Sequence, residues 1–206
     1  MRFWGYNIVM ARKRRSLVYK EKKKIYSPSL FKEIFSWCFF TAFAIFLALM
    51  VVIGFGMRAR VIGESMSPTL YSGQFVLINR VSYVISTPKR NDIVAFLPNG
   101  NSNSHYYIKR IVALPGETVQ IIDGVLYING VEQEEDKELY DKMEDAGIAE
   151  NEIKLGSNQY FVLGDNRNSS EDSRSANIGV VSGDTIAGKV WYKYGGTEKN
   201  TGFVLK

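Results

Sequence analysis

The hydrophobic pattern divides the chain into three unlike stretches. Residues 1–33 are polar and show no period. From Ile34 to Met57 run 24 residues without a charge, IFSWCFFTAFAIFLALMVVIGFGM. At about 1.5 Å of rise per residue they make roughly 36 Å of helix, enough to cross a hydrocarbon core of about 30 Å. The run has no polar face, as a core helix of this length would. It is also longer than the apolar part of a cleaved leader, and Arg58 and Arg60 follow it. A single retained transmembrane helix is expected over residues 34–57.

Beyond it the period shortens. Apolar or alternating runs predict strands over Phe75–Asn79, Asp92–Leu97, Tyr106–Ala113, Thr118–Ile122, Val125–Ile128, Gln159–Leu163 and Thr185–Tyr192. Asn99-Gly100, Asp123-Gly124 and Asn129-Gly130 are turn dipeptides, the second placed between two strands as in a hairpin. The expected fold class is mostly β: an antiparallel β domain over residues 58–206 behind the helix. Residues 131–154 interrupt the pattern with ten Asp and Glu. They read as an acidic, solvated insert with a short helix near Lys137–Asp145. The ligand spacing of a calcium loop is missing there.

Charge adds a direction. Residues 1–33 hold ten Lys and Arg against Glu21 and Glu33, a balance of +8, which leaves −3 for the rest of a chain whose formal net charge is +5. The basic pI therefore belongs to the tail, and no nucleic-acid partner is expected. Positive residues collect on the cytoplasmic side of a membrane helix, which puts the tail in the cytoplasm and residues 58–206 outside. The expected location is the cell membrane, with one span and lipid as a partner.

Composition narrows the chemistry. The chain has one Cys, Cys38 inside the apolar run, and one His, His105. No disulfide framework and no zinc-ligand spacing is visible, so no metal and no cofactor is expected. Three runs remain: GESMSPTL over residues 63–70, YYIKRIVALPGE around Lys109, and GDNRNSSEDSR over residues 164–174. A serine that attacks a carbonyl needs a base within reach. His105 is one candidate. Lys109 is the other, since burial without a carboxylate partner lowers an amine's pKa. Strand alternation sets Lys109 on a face with Tyr107 and Ile111 and turns Arg110 to the opposite face. In the third run Asp172 and Arg174 can pair, Arg167 offers a second cation for Asp165 or Glu171, and Ser169, Ser170 and Ser173 are short donors able to orient an amine.

Together the three runs resemble the type I signal peptidases of bacteria, membrane-bound Ser-Lys serine proteases of peptidase family S26. SMSPTL is similar to the nucleophile box of that family, YIKRIVALPGE to its lysine box, and GDNRNSSEDSR to its third box. The resemblance implies Ser65 as nucleophile and Lys109 as general base. It implies Ser170 bonded to the lysine, Asp172 and Arg174 as a supporting ion pair, and the Ser65 N–H as an oxyanion donor. It implies exported preproteins as substrates, cut after small-x-small sites, with Val61, Leu70 and Ile108 walling the pockets. Gly63 stands where some members carry a second oxyanion hydroxyl, as in Gram-positive relatives. The segment between the lysine box and the third box is short beside the cap domain of others. The alternative from another class is an inactive membrane-anchored β domain that binds partners.

The distance along the chain agrees with that reading. Seven steps lead from Arg58 to Ser65, at most about 25 Å of extended chain. Ser65 is thus expected close to the outer leaflet.

Overall fold

The computed structural model describes residues 28–98, 105–134, 140–196 and 201–204. Most of the basic tail, the Asn99-Gly100 turn and part of the acidic insert fall outside these residues. The chain divides into two compact units, residues 1–44 and 45–206.

Helix α1 spans Pro28–Phe55 and contains a candidate membrane span, Leu30–Gly54. Proline suits the first helical position, where its missing N–H costs nothing. The helix starts before Ile34 because Lys32 and Glu33 are good helix formers and extending a helix is cheap. It also ends before Met57, so the expected boundaries are corrected at both ends. At the exit Gly56 N donates to Val52 O at 2.7 Å. A Cβ on Gly56 would sit 2.3 Å from that same oxygen, so only glycine fits there without displacing the last turn.

The chain then turns extended at once. β1 (Met57–Arg60) and β2 (Phe75–Asn79) precede a single turn of helix, α2 (Ser82–Ile85). β3 (Ile93–Phe96), β4 (Tyr107–Ala113), β5 (Thr118–Ile122), β6 (Val125–Ile128) and β7 (Val131–Glu132) follow. β8 (Ile153–Lys154), β9 (Gln159–Leu163), β10 (Val181–Ser182), β11 (Ile186–Tyr194) and β12 (Gly202–Phe203) complete the order. The seven expected strands are among them, and every pairing is antiparallel.

Eight strands form one sheet in the order β1-β2-β11-β3-β4-β9-β10, with β12 on β11; a second sheet runs β7-β6-β5-β8. The Asp123-Gly124 turn joins β5 to β6 with φ of 50° and 76°, the double left-handed geometry that Asp-Gly favours in a two-residue hairpin. Val61, Met66, Leu70, Ile78 and Ile108 belong to one buried cluster. Burying side chains of this kind contributes about 1.5–3 kcal/mol each, and here it seats the Ser65 turn against β4.

The acidic insert departs from expectation. No helix covers its described residues up to Asp145; a 3₁₀ turn at Gly147–Glu150 stands instead. Nor is it merely solvated. It begins in β7 and ends in β8, and it sends Met143 and Ala149 into the core beside β5 and β6. The acidic side chains among its described residues face water, while the few apolar ones between them are enough to fasten it.

Candidate active site

Ser65 lies in the turn that follows β1. That turn is closed by Ser67 N to Glu64 O at 3.0 Å and Leu70 N to Met66 O at 2.8 Å. Met66 and Leu70 are buried beneath it, so the apolar residues of SMSPTL hold the turn while Ser65 stays at the cleft. Gly63 occupies the left-handed region at φ 82°, which a glycine enters without strain. Its N–H meets Ser72 Oγ at 3.2 Å.

Lys109 is in the middle of β4, paired with Val94 of β3. β3 pairs with Tyr107–Arg110 along one edge of β4, but β9 pairs with the other edge only from Arg110 onward. The Tyr107–Lys109 edge is thereby left open towards Ser65. Lys109 Nζ donates to Ser65 Oγ at 2.6 Å. Lys109 is 4% exposed, and burial pushes its pKa down to about 8, against the opposing pull of the Asp172, Glu171 and Asp165 charges. Loss of the proton then reverses the contact, with the hydroxyl donating to the amine lone pair. The Ser65 N–H donates to no group among the described residues, which leaves it open to an oxyanion.

The third run clamps this pair from behind. Asn166 N donates to Ser65 O at 3.1 Å. A Cβ on Gly164 would lie 2.5 Å from that carbonyl and 2.1 Å from Ser170 Oγ, so the chain passes here only as glycine. Asp172 and Arg174 pair as expected, Nε to Oδ1 at 2.9 Å and Nη2 to Oδ2 at 3.0 Å. Asp172 Oδ2 also accepts from Gly164 N at 3.0 Å, which ties the ion pair to the glycine that touches Ser65. The insert joins in: Arg174 Nη1 donates to Asp145 O at 3.0 Å and Asn168 Nδ2 to Lys142 O at 3.0 Å.

Three expectations change. Ser170 Oγ is buried with no hydrogen-bond partner among the described residues. Its expected bond to Lys109 is not made, because the hydroxyl is turned onto Gly164 and the amine is taken by Ser65. Arg167 does not pair with Asp165. It is buried with its guanidinium 4.4 Å from the centre of the Tyr140 ring. Asp165 is taken instead by Arg110, Nε to Oδ1 at 2.7 Å and Nη2 to Oδ2 at 2.8 Å, and by Thr69 Oγ1 at 2.5 Å. One carboxylate thus joins all three runs. Leu70, finally, is fully buried and does not line the cleft.

The cleft itself holds about 340 Å³ and runs past Ser65 and Lys109 between residues 60–62 and 105–108. Val61 and Ile108 line it as expected. Met66, Tyr106 and Glu171 line it too and were not foreseen as lining; their place within the three runs was the only signal in the sequence. His105 lies at the rim, exposed.

A serine hydroxyl held by a buried amine, above a cleft with one open strand edge, is the arrangement of a serine peptidase, a hydrolase. A family model described as signal peptidase, peptidase S26, matches residues 34–194. Signal peptidase I T of Bacillus subtilis is 38% identical over 132 residues, 61% of this chain and 67% of that one. Signal peptidase IB of Staphylococcus aureus is 34% identical over 180 residues, covering 79% of this chain and 90% of that one. A crystal structure of a signal peptidase I from Enterococcus faecalis superposes with a TM-score of 0.41 at 37% identity, covering 51% of this chain and 97% of that one. The chain belongs to the signal peptidase family, peptidase S26.

Proposed function

We propose that this chain is a membrane-anchored serine endopeptidase that removes signal peptides from exported preproteins, with Ser65 as nucleophile and Lys109 as general base. The 2.6 Å contact between a buried, pKa-depressed amine and the Ser65 hydroxyl carries the proposal. The neutral amine takes the hydroxyl proton as Oγ attacks the scissile carbonyl. The Ser65 N–H stabilises the oxyanion, and the ammonium returns its proton to the leaving amine. Water then hydrolyses the acyl-enzyme with the same amine as base. Ser170, whose hydroxyl has no hydrogen-bond partner among the described residues, orients the amine once Ser65 Oγ is acylated. Asp172 and Arg174 hold Gly164 and so the Ser65 backbone.

The apolar span within α1 is the anchor, with the basic tail before it in the cytoplasm and the β domain outside. Lipid is its surroundings, and the mechanism calls for no metal, cofactor or nucleic acid. Incubating the detergent-solubilised chain with a secretory precursor tests the reading. The wild type should release a mature product with one defined N-terminus, and Ser65→Ala should release none. Equal product from both would discard the proposal in favour of a non-catalytic binding domain.

Specificity follows from the open edge of β4. A substrate added there as a strand presents the residues one and three before the cut to the same side. Val61 and Ile108, backed by buried Leu70, bound shallow apolar pockets that hold Ala. Overfilling a packed site costs about 1–3 kcal/mol, so Leu for Ala at either position should lower kcat/KM roughly 5- to 150-fold. Equal rates for Ala, Leu and Lys at the residue before the cut would refute the pocket assignment.

A further inference from the structure

We infer that Glu171 is a specificity-determining residue, whose carboxylate selects cationic over anionic substrate residues next to the scissile bond. The inference rests on the peptidase reading above and adds a charge preference to it.

Glu171 lines the cleft together with Ser65 and Lys109, and it is the only carboxylate among the described residues that do so. Its neighbours in sequence are consumed by structure. Asp172 is buried against Arg174, and Ser170 packs on Gly164. Glu171 instead stays exposed and enters no ion pair among the described residues. Its one hydrogen bond to a described residue is long, Asn177 Nδ2 to Oε1 at 3.5 Å. The other charged groups of the cleft are Arg60 and Lys109, with His105 at the rim, and catalysis requires the Lys109 amine to be neutral. A carboxylate therefore stands beside the path of the substrate with no cationic partner among the described residues.

The field of that charge already reaches the reacting groups, since it opposes the lowering of the Lys109 pKa. A substrate side chain passing the same wall feels it with less protein between. An exposed ion pair shifts an equilibrium by about 1.5- to 5-fold, and a like-charge contact shifts it by a similar factor the other way. The resulting Lys-to-Glu preference should be about 2- to 25-fold and should shrink with salt.

The test uses the full-length protein in detergent and one secretory precursor. Lys, Gln or Glu is placed singly at the second residue before the cut and at the first and second after it. kcat/KM is measured at low and high ionic strength for the wild type, Glu171→Gln and Glu171→Lys. At one or more of these positions the wild type should prefer Lys over Glu within the stated range. Glu171→Gln should bring the ratio near one, and Glu171→Lys should invert it. Because each ratio is taken within one enzyme, a loss of folded protein does not alter it. The same Lys-to-Glu ratio in all three enzymes at all three positions would overturn the inference. No cleavage of any precursor by the wild type would instead remove the peptidase reading, and this inference with it.

Discussion

Replacing Lys109 with Arg should lower kcat/KM by about 10³-fold or more, although charge and length are nearly conserved. A guanidinium stays protonated at every usable pH and so cannot accept the Ser65 proton. Dyad members act as a unit, which is why one loss removes most of the rate. Lys109→Met should be equally inactive and also more stable than the wild type at pH 7. The sign follows from the pKa: folding lowers that of the amine from 10.5 to about 8. Between those values the unfolded chain binds the proton and the folded one does not, so stability rises with pH. Below about pH 8 the folded protein bears the cost of a buried ammonium, which methionine relieves by about 1–3 kcal/mol. Calorimetry or denaturant melts of both proteins at pH 7 would read the difference. A Lys109→Met protein less stable than wild type would show that the amine is not the burdened group described here.

The largest stability effect should come from Asp165. Its carboxylate is fully buried and holds Arg110 through two bonds and Thr69 through a third. Asp165→Ala leaves a guanidinium that is 6% exposed without its counter-ion. Removing one partner of a buried pair costs about 3–5 kcal/mol. For a domain of this size that is a fall in Tm of roughly 6–20 °C. The double replacement Arg110→Met with Asp165→Leu should cost less than either single change, since no charge is then stranded. Thermal melts of the detergent-solubilised protein would measure all three, and a single-variant loss below about 1 kcal/mol would mean the pair is not a fastening of the site.

That pair also shows where the sequence stops being readable. Arg110 follows the expected base, and alternation does turn it away from Lys109, but nothing local names its partner 55 residues on. The local candidate for Asp165 was Arg167, two residues away, and the fold preferred to stack that cation on Tyr140. Long strands such as β4 and β11 were legible because several successive positions repeat the pattern. β1, β7, β8, β10 and β12 have two to four residues each and offer no period to read. The acidic insert misled for a related reason. Ten carboxylates dominate its composition, while Met143 and Ala149, which decide its packing, are too sparse to form a pattern. The pairing of Ser65 with Lys109 was legible only through the resemblance of the three runs to a known family; from the residues alone, His105 and Lys109 both stood as candidate bases.

The central claim, that a lysine and not a histidine is the base for Ser65, is tested most directly by the pH dependence of kcat/KM on one precursor, in the wild type and in His105→Ala. The account predicts an ascending limb with its midpoint near pH 8 in both proteins, set by the Lys109 amine. A limb near pH 6.5 in the wild type, lost together with activity in His105→Ala, would contradict it and make His105 the base.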